Sequence, residues 1–68
     1  MPETTASTLA TRLRERRDSA GLSREKLAAK AGVSLSTVLR IEQGAGAHLS
    51  SLRKIAGALD VTVSELVD

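Results

Sequence analysis

Apolar residues recur three and four positions apart along most of the chain, and no segment sustains the strict alternation of a half-buried strand. The pattern predicts five helices and no sheet. The first runs from about Ser7, a plausible N-cap, to Ala20, with Leu9, Leu13 and Ala20 on one side and Gly21 as the C-cap. Ser23 caps a second helix, to about Ala31, with Leu27, Ala28 and Ala31 inward. Gly32 permits a tight turn, and Ser34 caps a third helix, to about Gln43, with Val38 and Ile41 inward. After the loop Gly44-Ala45-Gly46-Ala47, a fourth helix spans about Leu49 to Leu59 and buries Leu52, Ile55, Ala56 and Leu59. Thr62 and Glu65 have capping-box spacing and open a short fifth helix with Val63 and Leu66 inward. The expected fold class is therefore all-α, a compact five-helix domain over residues 7–68. Residues 1–6 show no periodicity and are expected to be a flexible N-terminus.

Length and composition narrow the function. With 68 residues the chain holds one domain, and its small core gives limited stability. It has no cysteine, so neither a disulfide framework nor a Cys-based zinc site supplements that core; this suits a reducing compartment. The sequence shows no secretory signal and no membrane-length apolar run, so the expectation is a soluble, cytoplasmic protein, and Met1 fits a natural start. There are no aromatic residues, which argues against base stacking on single strands or an RNA-recognition sheet but not against reading a duplex. All 10 Lys and Arg lie at or before Lys54, while Asp60, Glu65 and Asp68 make the end of the chain acidic. A basic body with an acidic end fits one face meeting an anion, though it fits ordinary solvated charge equally well.

The stretch Leu27 to Gly44 carries the chemistry. It reads as two short helices joined by a tight turn at Gly32, with Ala28 and Ala31 letting the helices approach and Val33 plugging the corner. With Val38 and Ile41 inward, Leu35, Ser36, Leu39, Arg40 and Gln43 project outward. A helix held this way fits the DNA major groove.

From Leu9 to Leu66 the chain resembles the lambda-repressor-like helix-turn-helix family of phage repressor, Cro and Xre-type regulators. The matching residues are Leu13, Arg14 and Arg17, then the run Gly21 to Ala28, then Gly32-Val33-Ser34 with Ser36-Thr37-Val38, then Arg40 to Gly44, and later Leu52 to Val61. The resemblance implies a sequence-specific transcriptional regulator, a repressor by type, that binds double-stranded DNA with its third helix in the major groove. Where relatives usually carry Gln at the start of the second helix, this chain has Arg24, which the resemblance assigns to phosphate or guanine. Leu35, Ser36 and Arg40 match positions that reach base edges, and Thr37 matches a position that often binds phosphate. Backbone N–H groups near Ser23 and Ser34 can bind phosphate as well. Lys26 joins Arg24 and Arg40 in framing the same face, and Leu39 and Gln43 complete the expected footprint. Arg17 and Glu42 match an ion pair that in some relatives joins the first helix to the end of the third, which implies a structural role for both; the alternative is that Arg17 is a solvated charge like Arg14 and Arg16.

Two departures from the family pattern bear on binding. The loop after the third helix, Ala45-Gly46-Ala47-His48, has no Lys or Arg to grip phosphate, so each domain is expected to bind modestly. His48 is expected to be exposed or to cap the fourth helix. Leu35 and Leu39 are apolar on a face that is usually polar: Leu35 can pack on a thymine methyl, and Leu39 either joins it or is partly buried. The rival reading makes this Leu35–Leu39 face the docking site of a protein partner, as in an antitoxin or adaptor. A homodimer on two half-sites is expected, and Val61, Val63, Leu66 and Val67 form either its interface or part of the monomer core. A lone His without Cys supports no metal site, no cofactor is implied, and no catalytic set is recognisable, so the chain is not expected to be an enzyme.

Overall fold

The computed structural model describes residues 5–67, with side chains from Thr8 onward. The described residues form five helices and no strand: α1 (Thr5–Ser19), α2 (Arg24–Ala31), α3 (Leu35–Glu42), α4 (Leu49–Leu59) and α5 (Val63–Val67). Among them no helix is long and apolar enough to cross a membrane. Of residues 1–6, expected to be flexible, 1–4 lie outside the described residues and Thr5 and Ala6 already belong to α1.

Local signals set most boundaries. Ser23 and Ser34 sit in extended backbone, and each side-chain oxygen accepts a hydrogen bond from the N–H three residues on, Lys26 and Thr37 respectively. Such a cap satisfies a donor that a helix start leaves without an intrahelical partner. Gly32 closes α2 at φ 73°, ψ 33°, where its N–H and that of Val33 both return to the Ala28 carbonyl. This left-handed conformation carries no Cβ penalty at glycine and turns the chain sharply into α3. The Thr62–Glu65 capping box forms in both directions: the Thr62 N–H donates to Glu65 Oε2 at 2.8 Å, and the Glu65 N–H donates to Thr62 Oγ1 at 3.2 Å.

Two expectations need correction, and one open alternative is decided. Ser7 is not the N-cap of α1, because the helix already begins at Thr5. Ala20 lies beyond the end of α1 and is exposed rather than inward; the N–H groups of Gly21 and Leu22, which bond to the carbonyls of Asp18 and Arg17, turn the chain away there. Leu66 is fully buried and so belongs to the monomer core, not to a surface for a second copy.

The core is one cluster: Leu9 and Leu13 of α1, Leu27 and Ala28 of α2, Val38 and Ile41 of α3, Leu52, Ile55 and Ala56 of α4, and Leu66 of α5. Val33, Leu59, Val61, Val63 and Val67 pack against it half-buried. α3 lies against α1 and α2, α4 lies against α2 and α5, and α5 also meets α1. So α3 is held from behind by two helices, and its opposite side faces solvent.

Candidate nucleic-acid interface

The sequence of α3 divides cleanly by the helical repeat. Val38, Ile41 and Glu42 are buried, whereas Leu35, Ser36, Arg40 and Gln43 are exposed and Thr37 and Leu39 are half-buried. Leu35, Ser36, Leu39, Arg40 and Gln43 share one face, as their spacing of one, three, one and three residues requires. That face is the part of α3 that a duplex can reach.

Two shallow clefts flank it. One, of about 380 Å³, is lined by Arg17, Ser23, Arg24, Glu25, Leu35 and Leu39. It brings the start of α2 beside the two apolar residues of α3. The other, of about 410 Å³, is lined by Thr37, Arg40, Ile41, Gly46, Ala47, His48 and Ser51. It joins α3 to the loop that precedes α4. The expected footprint therefore straddles α3, with Arg24 on one side and Arg40 on the other. Lys26 is exposed but follows Arg24 by two residues, about 200° around the helix, and lines neither cleft. His48 is the N-cap residue of α4 by backbone conformation, and its exposed imidazole makes no capping hydrogen bond. The hydroxyls of Ser23 and Ser34 are engaged in their caps, and Ser34 Oγ also lies 2.9 Å from Thr37 Oγ1.

Behind this face lies a buried ion-pair network. The Glu42 side chain is 2% exposed and that of Arg17 is 11% exposed. Arg17 donates from Nε to Glu42 Oε2 at 2.7 Å and from Nη2 to Oε1 at 3.3 Å, and from Nη1 to the Leu22 carbonyl at 2.9 Å. The pair expected from the family resemblance is therefore present, and it ties α1 to the end of α3. Burial pushes the Glu42 carboxyl up, but the hydrogen bonds and charges of Arg17 and Arg24 outweigh it and hold the group below its ordinary value of 4.5. The hydrogen bond to Glu42 in turn raises the Arg17 guanidinium, against the opposing effect of its burial.

One contact of the network had no sequence signal. Arg24 donates from Nε to Glu42 Oε1 at 3.0 Å while its own side chain stays 46% exposed. Arg14 adds a bond from Nη2 to the Glu42 main-chain carbonyl at 3.2 Å. Both partners are distant in sequence from Glu42, and only the crossing of the helices brings them to it.

A helix-turn-helix family model matches residues 13–66, most of the chain and all of the elements just described except the start of α1 and the last residue of α5. The chain belongs to the helix-turn-helix family. Its solved relatives agree with the fold. The restriction-modification controller protein C.AhdI from Aeromonas hydrophila is 39% identical, with 90% of this chain and 94% of that one covered and a TM-score of 0.85. The hypothetical transcription factor NHTF from Neisseria is 30% identical over the whole of this chain and 82% of that one, with a TM-score of 0.90. A transcriptional regulator of the same family from Vibrio cholerae is 34% identical over 90% of this chain but only 35% of its own length, with a TM-score of 0.82. No curated protein sequence matches the chain significantly. The matched range contains α2, the turn at Gly32 and α3.

Proposed function

We propose that this protein is a transcriptional regulator that binds double-stranded DNA sequence-specifically, with α3 in the major groove and α2 across the backbone. The observation that carries the reading is the exposed face of α3, presented by a family-typical motif and flanked by Arg24 and Arg40. Leu35, Ser36 and Arg40 read base edges. Arg40 is the residue suited to a bidentate contact with guanine, worth roughly 1–3 kcal/mol of discrimination. Leu35, 37% exposed, offers an apolar surface to a thymine methyl, and Leu39 lies beside it. Thr37, Gln43 and the N-terminal N–H groups near Ser23 and Ser34 meet phosphate or the groove wall, whereas Lys26, turned away from Arg24, contributes only long-range positive charge.

A single module of this size buries little DNA surface, so tight binding takes two copies on half-sites about one helical turn apart. A binding role is supported by the commitment of Glu42 and Glu65 to the ion pair and the capping box. A DNA-bound regulator of this kind works in the cytoplasm, where repression is the simplest outcome of occupying an operator.

Fluorescence anisotropy on a random-sequence duplex at about 50 and 200 mM salt tests the reading. Each phosphate contact contributes about −0.9 to the slope of log affinity against log salt. Binding should fall steeply across that range, and Arg40→Ala should weaken binding to an operator selected from a random library. A folded protein that binds no duplex at low salt would refute the proposal and turn attention to Leu35 and Leu39 as a protein-docking face.

A further inference from the structure

We infer that Glu42, buried beneath the reading face, is a positioning residue for DNA recognition: it holds Arg24 by Nε and leaves the terminal fork of the guanidinium to the duplex. This rests on the reading of Arg24 as a DNA contact.

A guanidinium carries five N–H donors in one plane, and its two terminal nitrogens form the fork that matches a phosphate or the O6 and N7 of guanine. The bond to Glu42 Oε1 uses Nε. Among the described residues, neither terminal nitrogen of Arg24 makes a hydrogen bond. The side chain is thus anchored at its inner edge and open at its outer one. Arg24 also lines the cleft that contains Leu35 and Leu39, so the anchored group borders the apolar positions of α3.

The charges favour this division of labour. Arg17 makes two contacts with Glu42, the shorter at 2.7 Å, and is far less exposed than Arg24, so it balances most of the carboxylate's charge. Arg24 makes one contact at 3.0 Å and remains exposed, so its positive charge is still available to DNA. An unanchored arginine at the surface would lose much of its rotamer freedom on binding; anchoring it beforehand reduces that loss. Lysine cannot do the same, because its single ammonium would have to serve both Glu42 and the duplex.

A purely electrostatic role and a purely structural role predict different results from positioning. Removing a negative charge under a DNA-binding face should tighten binding. Removing a structural contact should lower stability and leave the affinity of the folded protein unchanged. Positioning predicts weaker binding that depends on Arg24.

The experiment measures operator affinity by anisotropy for the wild type, Glu42→Gln, Arg24→Ala, Arg24→Lys and the double variant Arg24→Ala/Glu42→Gln. The operator is one selected by the wild type from random duplexes, and helicity by circular dichroism confirms that each variant is folded. Loss of one bidentate arginine contact corresponds to roughly 5- to 150-fold, so Arg24→Ala should fall in that range. Arg24→Lys, a surface change that leaves the Arg17–Glu42 pair intact, should fall nearly as far. Glu42→Gln should weaken binding several-fold in the wild-type background and have no further effect when Arg24 is already alanine. Unchanged or tighter binding by Glu42→Gln, or an equal loss in both backgrounds, would overturn the positioning role. Wild-type binding that needs Arg40 but not Arg24 would overturn it while leaving the DNA-binding reading in place. Absence of wild-type binding would defeat both.

Discussion

Replacing Arg17 with alanine removes the main partner of a carboxylate that is 2% exposed, along with the donor to the Leu22 carbonyl. Stripping one member from a buried ion pair costs about 3–5 kcal/mol when the other is left uncompensated. Here Arg24 still donates to Glu42 Oε1, and the space vacated by the arginine opens a path for water. The cost should therefore fall below that range, at roughly 2–3 kcal/mol. A domain of this length has a total stability of roughly 3–10 kcal/mol, so the change consumes a large part of it. Urea unfolding followed at 222 nm measures the effect directly. With a slope near 1 kcal/mol per molar, typical of the smallest domains, the midpoint should drop by about 2–3 M. A double variant with apolar residues at both positions, Arg17→Met/Glu42→Leu, should recover part of the loss, because it leaves no buried charge behind. A midpoint shift under about 0.5 M for Arg17→Ala at unchanged slope would refute the reasoning. It would mean that the pair behaves like an exposed salt bridge, worth at most about 1 kcal/mol.

Other outcomes follow from the same geometry. Glu42 titrates below its ordinary value of 4.5 in the folded state, so its contribution to stability is present above that value and is lost as pH falls through the lower folded one. Thermal melts between pH 5 and pH 2 should show this loss, and Glu42→Gln should flatten that limb. Gly32→Ala introduces no clash, since an added Cβ meets nothing within 4 Å, but it places alanine at φ +73°. It should cost about 1–2 kcal/mol by urea unfolding, whereas Asp60→Gly, at φ 60°, should be neutral or stabilising by up to about 1 kcal/mol. Leu13→Ala empties a fully buried position in the central cluster and should cost about 2–5 kcal/mol, read as a fall in the urea midpoint.

The signals that could be read along the chain were the local ones. A serine cap, a left-handed glycine and a capping box each act within about four residues, so Ser23, Gly32, Ser34 and the Thr62–Glu65 pair marked boundaries without knowledge of the fold. Periodicity likewise separated the buried Val38 and Ile41 from the outward Leu35, Ser36, Arg40 and Gln43, because one helical repeat governs both faces. It failed where no local signal is strong: α1 begins before Ser7, and Ala20, in phase with Leu9 and Leu13, has already left the helix. The Arg17–Glu42 pair was legible only through family resemblance, since nothing about two charges 25 residues apart announces that they meet. Nor could sequence decide whether Leu66 served the core or a second copy; α5 folds back on α1 and α4 and encloses it. The same limit applies to Arg24, whose hold on Glu42 spans 18 residues. The sequence by itself determined that there are five helices, the caps at Ser23, Ser34 and Thr62, and which face of α3 looks outward. Only the tertiary structure decided which cations gather around Glu42, because that depends on how α1, α2 and α3 cross, and crossing angles are set by packing among residues far apart in the chain.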